Sequence, residues 1–268
     1  MSDVDKTFAG SIPAIYDRYL GPLLFEPYAL DMAERVARLA PKRVLEIAAG
    51  TGIVTRALSQ KLPAVPIVAT DLNQPMLDHA AARLPSERVT WRQADAQELP
   101  FDDASFDVVV CQFGVMFFPD KAKAFREARR VLAPGGRFLF NVWDRIEANE
   151  IADLVSRAVA ALFPKSPPGF LARTPHGYHD LGAIGAALKH SGFSAVHGET
   201  VPKRGRAPSP RDPAIGFCQG SPLRNEIEAR DKSRLDEATD AAAEAVAKRL
   251  GRGPIDGKLQ AHVIAAAP

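Results

Sequence analysis

Val44-Leu45-Glu46-Ile47-Ala48-Ala49-Gly50-Thr51-Gly52 is the stretch that decides the fold. Arg43–Ala48 carries a short apolar run with no polar face to alternate, the pattern of a parallel strand covered on both sides. Gly50-Thr51-Gly52 then turns into a helix bearing Ile53, Val54, Ala57 and Leu58. Glycines at such a turn let the backbone pass close to a ligand with no Cβ in the way. The N–H groups at the start of the helix favour anionic groups. A glycine-rich turn alone is a weak signal, so its surroundings must carry the reading.

Working outward, Pro66–Thr70 reads as a second strand ending at Asp71. Asn73 stands where it caps the next helix, with Pro75 inside the first turn. Val89–Ala94 and Phe106–Cys111 read as the third and fourth strands. Pro119–Leu132 is an amphipathic helix, Pro134-Gly135-Gly136 a turn, and Arg137–Val142 a fifth strand. Alternating strands and helices predict an α/β doubly wound parallel sheet whose ligands sit at the carboxyl ends of the strands. Upstream, residues 11–40 read as helical, broken at Gly21-Pro22 and stopped by Pro41. After Trp143 the rhythm changes. Ile151–Phe163 is a helix, Pro164–Pro175 a loop, Leu181–His190 a helix and Ala195–Val201 a sixth strand. Lys203–Pro222 reads as a Pro- and Arg-rich linker, Asn225–Leu250 as one long helix or a broken pair, and Lys258–Ala267 as a final strand.

Composition narrows the function classes. The chain has 268 residues and a net charge of +2, so no strong field steers it to nucleic acid or acidic lipid. No apolar run approaches the ~18 residues of a membrane span. The opening Met-Ser-Asp-Val-Asp-Lys has no secretory pattern, and two cysteines, Cys111 and Cys218, are too few for a disulfide scaffold, so a reduced cytoplasmic setting is expected. Proline is in excess at 22 residues, nine of them from Pro164 to Pro222. His79, His190, His197 and His262 are scattered and predict no metal site.

The decisive pattern is a constellation. Asp71 follows the glycine turn by about 20 residues, the position from which a carboxylate takes both hydroxyls of a ribose. Asp95-Ala96 ends the third strand and Gln112-Phe113 the fourth, so successive strand ends carry polar groups toward one crevice. On these residues the chain resembles the class I S-adenosylmethionine-dependent methyltransferases, small-molecule branch, and is similar to ubiquinone and menaquinone C-methyltransferases. The family's acidic residue followed by Gly-x-Gly-x-Gly reads here Glu46-Ile47-Ala48-Ala49-Gly50-Thr51-Gly52, with Ala48 in place of the first glycine. The likeness continues through Ala69–Leu77, Gln93–Phe101, Phe106–Val109 and Arg130–Gly136, covering about residues 40–145.

That resemblance implies a Rossmann-like, mostly parallel seven-stranded sheet with a final antiparallel strand, N-terminal helices and helical cap insertions. It implies S-adenosyl-L-methionine as cofactor and S-adenosyl-L-homocysteine as product. By it Asp71 holds the ribose, Leu72 and Met76 flank the adenine, and Asp95 and the Ala96 amide read the ring. Gly50, Gly52, Ala48 and nearby backbone hold the methionine part beside Gln112. Glu46 fixes the loop amides from below, and Tyr16 or Tyr19 closes over the cofactor. Each residue also has a plain reading: Asp71 and Asp95 as turn residues, Leu72 and Met76 as core.

Methyl transfer from a sulfonium is an in-line displacement that mainly requires alignment and desolvation, so no triad or metal is expected. A base is needed only for some acceptors, with His176, His179, Asp144 and Tyr28 as candidates. The expected acceptor is small and largely apolar or aromatic, lined by Phe113, Met116, Phe117, Phe118, Trp143, Phe163 and Phe170. Arg204, Arg206 and Arg211 form a basic cluster too short to predict nucleic-acid binding. Two other readings stay open: a nicotinamide-dependent oxidoreductase, whose Gly-x-Gly-x-x-Gly/Ala fingerprint fails at Thr55, and a non-catalytic relative. The expected organisation is a lid at 1–40, a core at 41–202 with 255–268 interrupted by an insertion at 145–175, and a helical cap at 203–254. The expected assembly is a monomer or homodimer.

Overall fold

Four parallel strand pairings build the part of the molecule that carries the motifs. In the computed structural model, which describes residues 12–268, β1 (Val44–Ile47) pairs with β2 (Ile67–Asp71) and with β4 (Phe106–Gln112). β2 pairs with β3 (Val89–Gln93), and β4 with β5 (Leu132–Trp143). With β6 (Ala195–Ala207) and β7 (Ile255–Ala267) they form one seven-stranded sheet, order β3-β2-β1-β4-β5-β7-β6, parallel but for one strand. The reading of the first six residues and the helix start at residue 11 lie outside the described residues.

The order reverses at β1 and β4, which are neighbours in space though not in sequence. Such a switch point opens a crevice at the carboxyl ends of the two strands. Val44, Leu45, Ile47, Val108, Val109 and Val110 are all 0–1% exposed, which explains why these strands read as unbroken apolar runs. Pro134-Gly135-Gly136 is an excursion within β5, because the register with β4 shifts between Phe106↔Leu132 and Val108↔Arg137.

The helices that position the site are α3 (Ile53–Lys61), α4 (Gln74–Arg83), α5 (Lys121–Val131) and α8 (Leu181–His190). Asp120 caps α5 by accepting from the Lys123 amide, and Asp180 caps α8 by accepting from the Ala183 amide. Asn73 occupies the N-cap of α4 with Pro75 in its first turn, but makes no side-chain cap; its amide donates to Asp71 instead.

The chain divides into two compact units. One, the sheet unit, comprises 28–142, 178–201 and 261–268. The other comprises residues up to 27, 143–177 and 202–260, and is mostly helical. Within it are α1 (Ile12–Ile15), α6 (Glu150–Leu162), α7 (Phe170–Arg173), α9 (Arg211–Gln219), α10 (Leu223–Asp231) and α11 (Leu235–Leu250).

Two expectations are corrected here. Gly21-Pro22 does not break the N-terminal helix: Tyr16–Phe25 continues as a wide π-type helix into α2 (Glu26–Arg38). The Glu26 amide reaches back to the Gly21 carbonyl, so the ladder of i→i−5 bonds carries the chain past the donor that Pro22 lacks. Lys203–Pro222 is not a linker either. Its first residues extend β6 to Ala207, and Arg211–Gln219 is helical, with Pro213 tolerated in the first turn. Asn225–Leu250 resolves as a broken pair, with a short 3₁₀ turn Lys232–Arg234 between α10 and α11.

Candidate functional site

The glycine turn leaves β1 in left-handed backbone. Gly50 has φ +56° and Gly52 φ +75°. A Cβ on Gly52 would meet Trp91 at 2.8 Å and Ala80 at 3.0 Å, so glycine there is required by packing as well as by backbone. A Cβ on Gly50 would meet nothing within 4 Å, which leaves the turn open on that side. Ala48 also sits at φ +55°, a conformation that costs a residue with a Cβ roughly 1–2 kcal/mol. Its methyl rests in space cleared by a glycine just beyond the end of β4: a Cβ on Gly114 would lie 2.6 Å from it.

Asp71, at the end of β2, is the hub. Its Oδ2 accepts from the Gly50 amide at 2.9 Å, and its Oδ1 from the Asn73 amide at 2.8 Å and side chain at 3.3 Å. The Leu72 backbone also bears on the carboxylate, so Asp71 gathers donors from both the β1 turn and the start of α4. Burial raises its pKa, against the bonds from Asn73 and Gly50 that lower it. The Gly50 amide is thus held by Asp71.

Glu46 is 1% exposed and accepts from the Thr55 hydroxyl at 2.6 Å. Burial pushes its pKa to about 8, helped by the Asp71 charge and opposed by Thr55 and Arg56. A carboxyl without a cation in contact is costly to ionise in such surroundings. Thr55 is 0% exposed and committed to Glu46, which explains why a hydroxyl occupies the position where a nicotinamide fingerprint has glycine or alanine.

Thr51 was not singled out from sequence. It is 1% exposed, and its hydroxyl has no hydrogen-bond partner although it lies in the turn itself. An orphaned buried hydroxyl costs about 1–3 kcal/mol, so its place in this loop points to a bound group that supplies the partner. The signal was its position between two glycines.

Around the crevice, Leu72 is 49% exposed, one of three large exposed apolar side chains among the described residues. Met76 is buried on α4. Asp95 is exposed and closes a turn on the Gln97 amide at 2.8 Å, while Ala96 is buried. Gln112 is half-buried at the end of β4 and accepts from Asn141 at 3.3 Å. Phe113 and Met116 are buried and Phe117 is half-buried, all in the same unit. Tyr28, a candidate base, is 0% exposed and donates to the Val201 carbonyl, so it is a structural residue.

The helical unit holds the other predicted residues. Tyr16 stacks on Phe25 at 4.9 Å, Tyr19 lies beneath Arg18, and Trp143 faces Phe25 and His176. Phe170 is buried at the start of α7. Asp144 is tied to Gln260 at 2.6 Å. His176 is buried, and its Nδ1 lies 2.7 Å from the Asp144 carbonyl. A carbonyl only accepts, so Nδ1 carries the proton and Nε2 is the basic nitrogen of the neutral ring. His179 is half-buried in the sheet unit beside Asp180. Cys111 and Cys218 are buried, and burial raises both thiols, Cys218 to about 12. Among the described residues no helix is long and apolar enough to cross a membrane, and no group of side chains could hold a metal ion. Arg204 and Arg206 are both paired with Asp256, and Arg211 with Asp240.

Comparison with known proteins agrees with this geometry. Residues 45–140 match the family model described as a methyltransferase domain. Demethylmenaquinone methyltransferase of Thermus thermophilus is 44% identical over 115 residues, 41% of this chain and 50% of that protein. The enzyme of the same name from Clavibacter sepedonicus is 33% identical over 171 residues, 60% of this chain and 69% of that protein. The chain thus spans about half the length of the first of these relatives. The solved structure of the YcgJ protein from Bacillus subtilis matches with a TM-score of 0.58 and 25% identity, covering 90% of this chain and 97% of that one. With its motifs in order on β1 to β5 and these relatives beside it, the chain belongs to the class I S-adenosylmethionine-dependent methyltransferase family.

Proposed function

We propose that this protein transfers the methyl group of S-adenosylmethionine, the cofactor of its family, to a small, largely apolar or aromatic acceptor by in-line displacement. A quinol ring is the first acceptor to consider, because the relatives above are demethylmenaquinone methyltransferases. The observation that carries the reading is the turn 50–52: left-handed, open at Gly50, tied to Asp71, and holding the unpartnered Thr51 hydroxyl. In this reading Asp71 accepts from the ribose and Thr51 gains its missing partner from the bound cofactor. Leu72 and Met76 flank the adenine, Asp95 and the Ala96 amide read its edge, and Gly50, Gly52, Ala48 and Gln112 border the methionine part. Glu46 supports the turn through Thr55.

When bound, the cofactor supplies a methyl carbon already activated by its sulfonium. The protein's own work is then orientation and exclusion of water. Phe113, Met116 and Phe117 of the sheet unit would line the acceptor. Where the acceptor needs deprotonation, His176 is the better base, since the Asp144 carbonyl fixes its tautomer; His179 is the second candidate.

The test is a thermal shift with S-adenosylhomocysteine against NAD and NADP, followed by labelled-methyl transfer to quinols, phenols and amines. At ~100 times its dissociation constant, S-adenosylhomocysteine stabilises by about 2.7 kcal/mol. A shift with a nicotinamide cofactor and none with the adenosyl ligand overturns the proposal. Binding without transfer to any acceptor leaves a non-catalytic relative.

A further inference from the structure

Asn141 is a polar side chain in an otherwise apolar strand, Phe138-Leu139-Phe140-Asn141-Val142-Trp143, and it is 1% exposed. A buried amide is kept only where its donors and acceptors are used. Both ends of Asn141 act on the carboxyl end of the neighbouring strand. Its Oδ1 accepts from the Phe113 amide at 2.9 Å, and that amide also reaches the Asn141 carbonyl at 3.2 Å. Its Nδ2 donates to Gln112 Oε1 at 3.3 Å.

Phe113 needs such a lock. Its φ of +51° is a left-handed backbone that a bulky residue adopts only when its surroundings impose it. Its ring is held edge-on against Tyr28 at 5.3 Å, and Tyr28 is itself anchored to the Val201 carbonyl. The next residue, Gly114, has its Cβ space filled by the Ala48 methyl at 2.6 Å and by Cys111 Sγ at 2.7 Å. Two non-glycine residues in left-handed backbone, Ala48 after β1 and Phe113 after β4, therefore meet across Gly114 at the switch point.

We infer that Asn141 is a positioning residue for the cofactor site: it orients Gln112 and holds the β4 turn in the conformation that interlocks with the β1 turn. Left-handed strain at a strand end, clamped by a buried amide, is the mark of a pre-organised site. The inference rests on the methyltransferase reading, which assigns Gln112 to the cofactor.

The experiment is a double-mutant cycle of Asn141→Ala and Gln112→Ala, read as S-adenosylhomocysteine affinity by calorimetry and as stability by urea titration. Each single variant is expected to weaken binding about tenfold, and the double variant to bind no worse than the weaker single, because both remove one arrangement. Asn141→Asp keeps the volume and the acceptor for Phe113 while removing the donor to Gln112. It replaces the alanine variant in the cycle if that one does not fold. A urea midpoint that drops while affinity stays within twofold of wild type makes Asn141 merely structural and overturns the inference, as do additive losses in the double variant. If wild type itself does not bind S-adenosylhomocysteine, the functional reading fails instead.

Discussion

The strand ends at residues 46 and 71 and the helical unit treat their carboxylates in opposite ways. At the strand ends of the sheet unit, Glu46 and Asp71 are buried, hold hydroxyl and amide donors, and have raised pKa values. In the helical unit, acidic groups meet arginines. Asp256 takes both Arg204 and Arg206, Glu237 takes Arg234, and both are pushed below the ordinary carboxylate range by those partners. Glu226 accepts from Arg173 and from the Gly169 and Phe170 amides. Arg230 and Arg234 spend their remaining donors on the carbonyls of Ser166, Pro167 and Leu162. Pro164, Pro167 and Pro168 have no N–H, so their loop cannot satisfy its own carbonyls, and the arginines supply the missing donors. The strand ends carry electrostatic cost in their buried carboxyls; the helical unit uses charge as staples, as Arg130 with Glu127 and Asp103 does farther from the strand ends of the sheet unit.

The largest consequence is a pH effect confined to the sheet unit. Glu46 has a folded pKa of about 8 against 4.5 for the ordinary group. Between those values the folded chain holds a proton that the unfolded chain has lost. The contribution of Glu46 to stability is therefore fully present below about 4.5 and is lost as pH rises toward 8. Removing the titration with Glu46→Gln is expected to flatten this slope, a difference on the order of several kcal/mol across the window. Urea titrations of both proteins at pH 5 and pH 8 check it. Equal slopes would mean that the carboxyl is paired in solution, and the contrast between the units would fail.

Asp71→Asn tests the same strand ends through a ligand. The amide sets an N–H against the Gly50 N–H that Asp71 now accepts. Affinity for S-adenosylhomocysteine is expected to fall about 100-fold, or about 2.7 kcal/mol. Unchanged affinity in calorimetry would remove Asp71 from the ribose role.

Glu226→Ala probes the staples. It deletes three hydrogen bonds to one carboxylate, and because water takes over the freed, partly exposed donors, a net loss of about 2 kcal/mol is expected. Hydrogen exchange should accelerate at residues 164–173 while amides of α3 and α4 keep their protection. Faster exchange in both places would show that the order of the two units is not separately built.

This division also explains what could be read in advance. β1 to β5 were legible to within one or two residues, except for the excursion in β5, because each is an apolar run closed by turn residues. That Gly50 and Asp71 face each other was legible because a glycine turn after β1 and an acid at the end of β2 form one local pattern. The Lys203–Pro222 segment was not: Arg and Pro mark a loop by composition, but Arg204 and Arg206 are strand residues whose partner Asp256 is about 50 residues away. The π-type turn at Pro22 depends on which carbonyl the Glu26 amide reaches, which no local propensity states. Thr51 and Asn141 fall between. A hydroxyl between two glycines and an amide inside an apolar strand are visible in the sequence, yet their meaning comes from the partner one lacks and the two the other holds.

The smallest predicted effect sharpens the contrast where the two strand ends meet. Ala48 occupies a left-handed position that glycine takes without cost, at roughly 1–2 kcal/mol of strain. Glycine also gives the unfolded chain more freedom, which offsets about 0.4–1 kcal/mol of that gain. Ala48→Gly should therefore stabilise by no more than about 1 kcal/mol in a urea titration. The same substitution removes the methyl that fills the space over Gly114. If that methyl only reports strain, stability rises and S-adenosylhomocysteine affinity is unchanged. If it keys the β1 turn to the β4 turn, stability still rises but affinity falls. Stability gained at the expense of binding would mark the strain at Ala48 as part of the site.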